Sequence, residues 1–379
     1  MALTLNGEQQ LLRDSARNFV STHAPVSHLR SLRDRNDDRG YSPVLWEQMV
    51  ELGWAGIAIP ESYGGAGLGL LELGLVMEEC GRTLAPTPLL STVLLAGNAV
   101  LEAGSEAQKS ALLPAVCEGN KVMALAFEER SRFAPYQVAC KAEARGTGFR
   151  LSGRKTFVLD GHIADTLVVT ARTQGEVGDR DGISLFLVDP KQAGVKIERT
   201  TTLDSRNAAQ CSFEAVDVPG DALLGELHQG ADVLDRVLDR ATVCLSAEML
   251  GLVSQTYDVT LDYLKTRVQF DARIGSFQAL QHRAVDMFCE LELCKSLVLE
   301  ALTAADEGRD DATMLASAVK ARLTDASRWI TRQAVQLHGG IGMTDEHDIG
   351  LYLKRGAATE QTLGDSAYHL DRFASLRGF

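Results

Sequence analysis

The sequence lacks any apolar run long enough to span a membrane, and this absence excludes one class of protein. A spanning helix needs about 18 or more consecutive apolar residues, and no such run occurs among the 379 residues. The first eight residues also have no basic flank before an apolar stretch, so we expect no secretory signal. The sequence therefore predicts a protein without membrane association, located in the cytoplasm.

Positive charge and paired cysteines are also scarce. There are 38 lysines and arginines against 51 aspartates and glutamates, a formal net charge of −13, which disfavours binding to nucleic-acid phosphates. The seven cysteines are odd in number and include no C-x-x-C pair, as is typical of reduced thiols in a cytosolic protein. No cluster of histidine, cysteine and aspartate has metal-ligand spacing, so no metal site is predicted.

The apolar pattern has a helical period at both ends of the chain and a strand pattern in the middle. Helical spacing dominates the first 120 residues, with a glycine-rich turn at 60–67. Short β-branched and apolar runs at 166–170 and 183–188 predict strands. Four long amphipathic segments, 231–265, 277–305, 311–337 and 349–376, predict a helix bundle. We therefore predict an α+β fold with an α-helical domain at 1–120, a β-barrel or sandwich domain at 121–226 and a four-helix bundle at 227–379.

Two clusters near the carboxyl end have the residue types that grip a dinucleotide. They consist of Arg267, Gln269, Phe270, Phe277 and Gln278, and of Gln336, Gly339 and Gly340. The guanidinium suits a pyrophosphate, the glutamines can donate to phosphate or ribose oxygens, and the phenylalanines offer faces for adenine. The glycines let backbone N–H groups approach a ligand closely. Either cluster alone would more often be a surface arginine beside a tight turn, but both together favour binding.

These clusters resemble the carboxy-terminal signatures of the acyl-CoA dehydrogenase family. The resemblance covers essentially the whole chain, because PESYGG at 60–65 and GRKTF at 153–157 resemble the family's other signatures. It implies an FAD cofactor, an acyl-CoA thioester substrate oxidised between Cα and Cβ, and electron-transfer flavoprotein as acceptor. In the family the ring of FAD lies in one subunit and its ADP half is held by the neighbour. The resemblance gives that holding role to the eight residues of the two clusters, hereafter the ADP clamp.

The base that the resemblance implies is missing from the sequence. The family's usual catalytic glutamate falls on Leu363, and the position that some members use instead falls on Ala241. Neither side chain can accept a proton. Glu360, one helical turn before Leu363, and Asp239, beside Ala241, are weak substitutes, because such carboxylates are more often solvated or ion-paired. The catalytic residue of this chain is therefore unknown from the sequence.

The side that would contact the flavin ring also departs from the family pattern. Where the family usually reads Thr-Glu-Pro, the chain has FEE at 127–129, and where it reads Trp-Ile-Thr, the chain has FVL at 157–159. Leu159 cannot donate a hydrogen bond to the ring. The base and the ring contacts have therefore both changed, whereas the ADP clamp has the family's residue types.

The simplest hypothesis is a subunit that lends its ADP clamp to a catalytic partner. The chain is similar to the small, base-lacking subunit of bacterial heteromeric enzymes such as pimeloyl-CoA dehydrogenase. Its partner would be a second acyl-CoA dehydrogenase-like subunit, with a homo-oligomer as the alternative. A flavin-dependent monooxygenase on the same fold needs no glutamate at 363 but needs an intact ring pocket. A non-catalytic scaffold or regulatory subunit would need no ADP clamp.

Overall fold

The computed structural model describes residues 4–379, and their contacts form two compact units. Unit 1 contains the described residues up to Ser31, Leu70–Ala85 and Thr242–Phe379, and unit 2 contains Leu32–Gly69 and Pro86–Ala241. Each unit thus combines segments that are distant in the sequence. The division into three consecutive domains at 120 and 226 stays a prediction.

Eleven α-helices account for most of the described residues outside the sheet. They are α1 (Gly7–His23), α2 (Val26–Asp34), α3 (Pro43–Glu51), α4 (Leu70–Thr83), α5 (Asn98–Ala103), α6 (Glu106–Cys117), α7 (Gly230–Thr266), α8 (Gln278–Asp306), α9 (Ala312–His338), α10 (Ile349–Gln361) and α11 (Ser366–Leu376). Asn6 caps α1 in a capping box, because its side chain accepts from the Gln9 N–H and the Gln9 side chain accepts from the Asn6 N–H. A π-helical segment, Leu89–Gly97, leads directly into α5.

Unit 2 contains an eight-stranded sheet with a buried apolar core. Its strands are β1 (Met123–Ala126), β2 (Lys141–Arg145), β3 (Gly148–Leu159), β4 (Thr166–Arg172), β5 (Ile183–Val188), β6 (Val195–Thr201), β7 (Asn207–Pro219) and β8 (Leu223–Leu224), in the order β6-β7-β3-β2-β4-β5-β8 with β1 beside β4. β4 and β5 contain the runs predicted as strands at 166–170 and 183–188, and they pair antiparallel. β1 runs parallel to β4 and is buried throughout, so it lacks the alternation that predicts a strand.

A two-stranded hairpin follows α7, formed by β9 (Val268–Gln269) and β10 (Ala272–Arg273). The helices after it differ from the sequence prediction in one respect. The segment predicted as one helix at 349–376 is divided into α10 and α11, because Leu363 and Gly364 have left-handed φ values of 59° and 102°. Asp365 then begins α11 by accepting the Tyr368 N–H at 2.9 Å. The prediction of a continuous fourth helix was therefore wrong.

No helix in residues 4–379 is both long enough and apolar enough to cross a membrane.

Candidate cofactor site

One surface depression of about 390 Å³ in unit 1 brings together five of the eight ADP-clamp residues. Arg267 and Gln269 reach it from the segment that follows α7, and Gln336, Gly339 and Gly340 reach it from the carboxyl end of α9. Two clusters that are far apart in the sequence thus line one concave surface, as a ligand site requires.

Arg267 lies immediately after α7, and its guanidinium is available to a ligand. Its backbone N–H donates to the Tyr263 carbonyl at 2.9 Å. Its exposed side chain has no acidic partner among residues 4–379. Arg283 of α8 lines the same depression and donates to Gln333 at 3.4 Å. The sequence pattern does not predict Arg283, although it lies one helical turn after another lining residue, Ala279.

Phe270 is held at the tip of the hairpin in a strained conformation. Phe270 and Asp271 form the two-residue turn between β9 and β10, with φ values of 53° and 57°, as a type I′ turn requires. The Phe270 side chain is 88% exposed and contacts Phe277 edge to face, with ring centroids 6.3 Å apart. A bulky residue in this region is a genuine outlier, and such outliers occur at functional sites more often than elsewhere.

The structure does not bring every clamp residue to the depression. Gln278 is the exposed first residue of α8 and is not among the residues that line it. Phe270 and Phe277, whose rings contact each other, do not line the depression either. The cofactor roles of all eight clamp residues stay predictions.

The end of α9 supplies an open backbone edge beside a buried histidine. A Cβ atom added to Gly339 or Gly340 would meet no atom within 4 Å, and Gly339 has a φ of 64°. His338 packs on Tyr263 with ring centroids 4.4 Å apart, and its Nδ1 donates to the Ala334 carbonyl at 2.8 Å. Burial lowers its pKa, so the ring is neutral near pH 7 and Nε2 is an acceptor. That buried Nε2 has no partner within the described part of the chain.

The two positions where a base is expected contain buried apolar side chains. Leu363 is 1% exposed, in the left-handed turn between α10 and α11, and Ala241 is buried within α7. Glu360 forms a bidentate ion pair with Arg328. Arg328 Nε donates to Glu360 Oε2 at 3.1 Å, and Arg328 Nη2 donates to Glu360 Oε1. Asp239 is half-buried on α7. That Glu360 or Asp239 substitutes for the missing base stays a prediction.

The turn that contains Leu363 is fixed by two buried residues that the sequence pattern does not predict. Lys320 donates to the carbonyls of Gly364 at 2.7 Å and Thr359 at 3.0 Å, and burial lowers its pKa to about 7. His369 Nε2 donates to the Leu363 carbonyl at 2.9 Å, and burial and Lys320 lower its pKa to about 3. A lysine on an amphipathic helix normally indicates a solvated face, so the burial of Lys320 could not be predicted from its residue type.

In unit 2, the two segments that depart from the family's ring-side pattern, 127–129 and 157–159, are largely buried. Lys155 forms a buried ion pair with Glu129 at 2.6 Å and donates to Thr170 at 2.9 Å. Burial raises the pKa of the neighbouring Glu128 carboxyl to about 8. Leu159 is buried as well. Lys155, Glu129 and Thr170 thus satisfy one another, and Leu159 has no group that could offer the ring-side hydrogen bond of the family pattern.

Comparison with protein-family models covers nearly the whole chain. The acyl-CoA dehydrogenase N-terminal, middle and C-terminal domains match residues 6–120, 127–218 and 228–375. The chain belongs to the acyl-CoA dehydrogenase family. Acyl-CoA dehydrogenase IpdE2 of Mycolicibacterium smegmatis is 32% identical over 372 residues, which are 97% of this chain and 98% of that protein.

Solved structures of acyl-CoA dehydrogenases also resemble this chain over its full length. A Tcur3481–Tcur3483 steroid ACAD variant is 34% identical with a TM-score of 0.88, covering 99% of each chain. The ChsE4–ChsE5 complex from Mycobacterium tuberculosis is 26% identical with a TM-score of 0.89, covering 99% of this chain and 98% of that one.

Membership of the acyl-CoA dehydrogenase family confirms three predictions. The fold class, with amino-terminal helices, a middle sheet and carboxy-terminal helices, is that of the family. Acyl-CoA dehydrogenases are oxidoreductases that bind FAD, so the predicted enzyme class and cofactor are also confirmed. The features that suit FAD in this chain are the free guanidinium of Arg267, the open glycine edge and the unpartnered Nε2 of His338.

Proposed function

We propose that this chain is the base-lacking subunit of a heteromeric acyl-CoA dehydrogenase. It holds the ADP half of FAD, and a second acyl-CoA dehydrogenase-like subunit supplies the base and the ring site. The observation that carries the proposal is a contrast between two places in the chain. The depression at Arg267 is open and polar, whereas Leu363 and Ala241 are buried and apolar where a carboxylate is needed.

The residues of the ADP clamp each have a distinct task in this proposal. Arg267 binds the pyrophosphate with its planar guanidinium. Gln269 and Gln336 donate to phosphate or ribose oxygens, and the backbone at Gly339 and Gly340 approaches the ligand because no Cβ intervenes. Bound FAD supplies the hydride acceptor. The aromatic face of Phe270 covers the adenine.

Proton abstraction from the substrate cannot begin on this chain with the residues at the expected positions. Leu363 has no titratable group, and Glu360 is engaged by Arg328. A general base must come within about 3 Å of the proton that it removes. We therefore assign the base to the second subunit, with the acyl-CoA thioester dehydrogenated between Cα and Cβ there.

An exposed apolar surface on α8 and α9 is the proposed contact with the second subunit. This α8 face consists of Val285, Phe288 and Leu293 with Trp329 of α9, and all four side chains are exposed. Exposed apolar side chains such as these are candidates for an interaction site. The names of two related structures, the Tcur3481–Tcur3483 steroid ACAD and the ChsE4–ChsE5 complex, describe assemblies of two different chains. A homo-oligomer is the alternative use of the same surface.

The steroid ACAD relative makes a steroid-derived acyl-CoA the first substrate to test, followed by pimeloyl- and butyryl-CoA. Electron-transfer flavoprotein is the proposed acceptor and the cytoplasm the proposed location.

The clamp assignment is tested by replacing Arg267 with methionine in the assembled complex. We expect Arg267→Met to lower the affinity for FAD roughly tenfold or more, because a charge-assisted pair with pyrophosphate is removed. Arg273→Met is the matched control, since Arg273 lies on β10 but does not line the depression. Equal FAD content in the wild type and Arg267→Met, measured by absorbance after dialysis, would contradict the assignment.

A further inference from the structure

A second cavity, of about 320 Å³, lies within unit 1 and shares no lining residue with the depression at Arg267. Side chains of α1, α4, α7 and α8 line it. Much of its wall is leucine, including Leu75, Leu250 and Leu291. The cavity therefore has the size and apolar lining of a small-molecule site.

Arg13 is the cation at this cavity that has no carboxylate partner in the described residues. Its Nη2 donates to Gln10 at 2.7 Å, and its buried Nε has no hydrogen-bond partner. The other three cations that line the cavity are ion-paired: Arg17 with Glu79, Arg82 with Asp258 and Lys295 with Glu292. Only the charge of Arg13 is left for a ligand.

Two further polar groups at the cavity have unused hydrogen-bonding capacity. Ser254 is 4% exposed, and its Oγ has no partner in residues 4–379. The Glu78 carboxyl makes no hydrogen bond within the same range, and burial together with the charge of Glu79 raises its pKa to about 7. Leaving the buried Ser254 hydroxyl unsatisfied is costly, so a bound molecule that satisfied it would gain affinity.

We propose that this cavity binds a medium-chain carboxylic acid, with its carboxylate on Arg13 and its hydrocarbon chain against the leucines. One carboxylate oxygen accepts from the guanidinium of Arg13. The other accepts from the Ser254 hydroxyl or from the protonated Glu78 carboxyl. An alkylammonium ion would leave Arg13 unpaired and add a like charge beside it, so the arrangement favours an acid over an amine.

The size of the cavity limits the length of the acid. Small-molecule sites have volumes of about 300–1,000 Å³, and this cavity lies at the lower end of that range. Octanoate, a small acid with a flexible hydrocarbon chain, is therefore the appropriate probe. Its binding requires neither FAD nor a second subunit, so the proposal stands apart from the proposed function.

The test is calorimetric titration of the full chain with octanoate, with n-octylamine as the ligand control. We expect octanoate to bind and n-octylamine not to bind. Arg13→Met should weaken octanoate binding roughly tenfold or more, because it removes the charge-assisted pair. Lys295→Met is the matched control, since Lys295 lines the cavity but is already paired, and its affinity should stay within about twofold. Unchanged affinity in Arg13→Met, or no octanoate binding up to about 1 mM, would overturn the proposal.

A second arm uses the Glu78 carboxyl and does not depend on the folding of Arg13→Met. The charged groups around Glu78 are Arg13 and Arg17 from α1, Glu79 and Arg82 from α4, Asp258 from α7 and Lys295 from α8. Above its pKa, Glu78 is ionised and repels the ligand carboxylate, so octanoate affinity should fall between about pH 6 and about pH 8. In Glu78→Gln this fall should disappear. The same pH dependence in the wild type and Glu78→Gln would contradict the assignment.

Discussion

A phenylalanine with left-handed backbone is costly, and Phe270 occupies such a position at the tip of the β9–β10 hairpin. We expect Phe270→Gly to raise the free energy of unfolding by about 0.5–1 kcal/mol, because glycine removes the left-handed strain while adding chain entropy to the unfolded state. The same change should weaken FAD retention, because the exposed aromatic face is lost. Urea denaturation and FAD titration measure the two effects.

Asp271→Gly provides the control for this residue. Asp271 has a similar φ of 57° in the same turn, but it is not a clamp residue. Its substitution should give a smaller gain in stability, since aspartate tolerates this region better than phenylalanine, and should leave FAD retention unchanged. If Phe270→Gly retained FAD as well as Asp271→Gly, Phe270 would not contact the cofactor.

Residue type predicts chemistry only where the side chain stands in a recognisable pattern. Arg267 and Gly339 could be chosen from the sequence because few roles require an arginine or adjacent glycines at such a turn. Lys320 and Glu78 gave no such signal, because on an amphipathic helix both resemble solvated residues. Their environments arise from packing between helices that are distant in the chain, which periodicity does not specify.

Lys320 should make stability depend on pH in a defined direction. Burial lowers its pKa from 10.5 to about 7, so between these values the unfolded chain binds more protons and the folded state is favoured as pH rises. The free energy of unfolding of the wild type, relative to Lys320→Met, should therefore increase by about 2 kcal/mol between about pH 7 and about pH 9. Urea denaturation at both values measures this difference. A difference that stays constant with pH would show that Lys320 is not buried as a titrating amine.

At the scale of elements, the turn between α10 and α11 depends on a glycine. In Gly364→Ala the new Cβ would lie 2.8 Å from Tyr368 Cδ1 and 2.9 Å from His369 Nε2, at a φ of 102°. We expect a loss of about 2 kcal/mol or more in the free energy of unfolding. Gly350→Ala is the control, since Gly350 lies in α10 with no atom closer than 3.9 Å, and it should be neutral or stabilising by up to about 1 kcal/mol. Equal urea midpoints for the two variants would contradict this account of the turn.

Most elements were predictable from their periodicity, and the exceptions have local causes. β5 has the predicted bounds, because turn residues flank a clear pattern. The break at Leu363 was not predicted, because the apolar spacing continues on both sides of it. The π-helical turns of Leu89–Gly97 are nearly all buried, so their apolar sequence does not distinguish them from an α-helix.

At the scale of the whole molecule, the α8 face should control assembly. We expect Leu293→Glu to shift the protein toward monomer, because it places a charge at an exposed apolar position of the proposed contact surface. Leu293 is 58% exposed, and Leu11 on α1 is 72% exposed, so Leu11→Glu is the control for a surface leucine outside that face. Size-exclusion chromatography with light scattering measures the mass. An unchanged mass in Leu293→Glu would exclude this face as the assembly surface.

The domain order along the chain was predictable, since helical and strand periods change near residues 121 and 226. The spatial contacts between segments were not predictable, because each compact unit combines segments from different parts of the sequence. The proposal of a second chain rests on the fact that Leu363 and Ala241 cannot accept a proton, and this is readable from residue type alone.

The central claim, that this chain holds FAD for a base located on another polypeptide, is tested most directly by comparing the chain alone with the assembled complex. The measurement is dye reduction dependent on steroid-derived, pimeloyl- or butyryl-CoA, together with the flavin spectrum. We expect flavin colour and activity only when the second subunit is present. A purified chain that binds FAD and reduces dye with acyl-CoA by itself would contradict the claim, and NAD(P)H oxidation in air by that chain would indicate a monooxygenase instead.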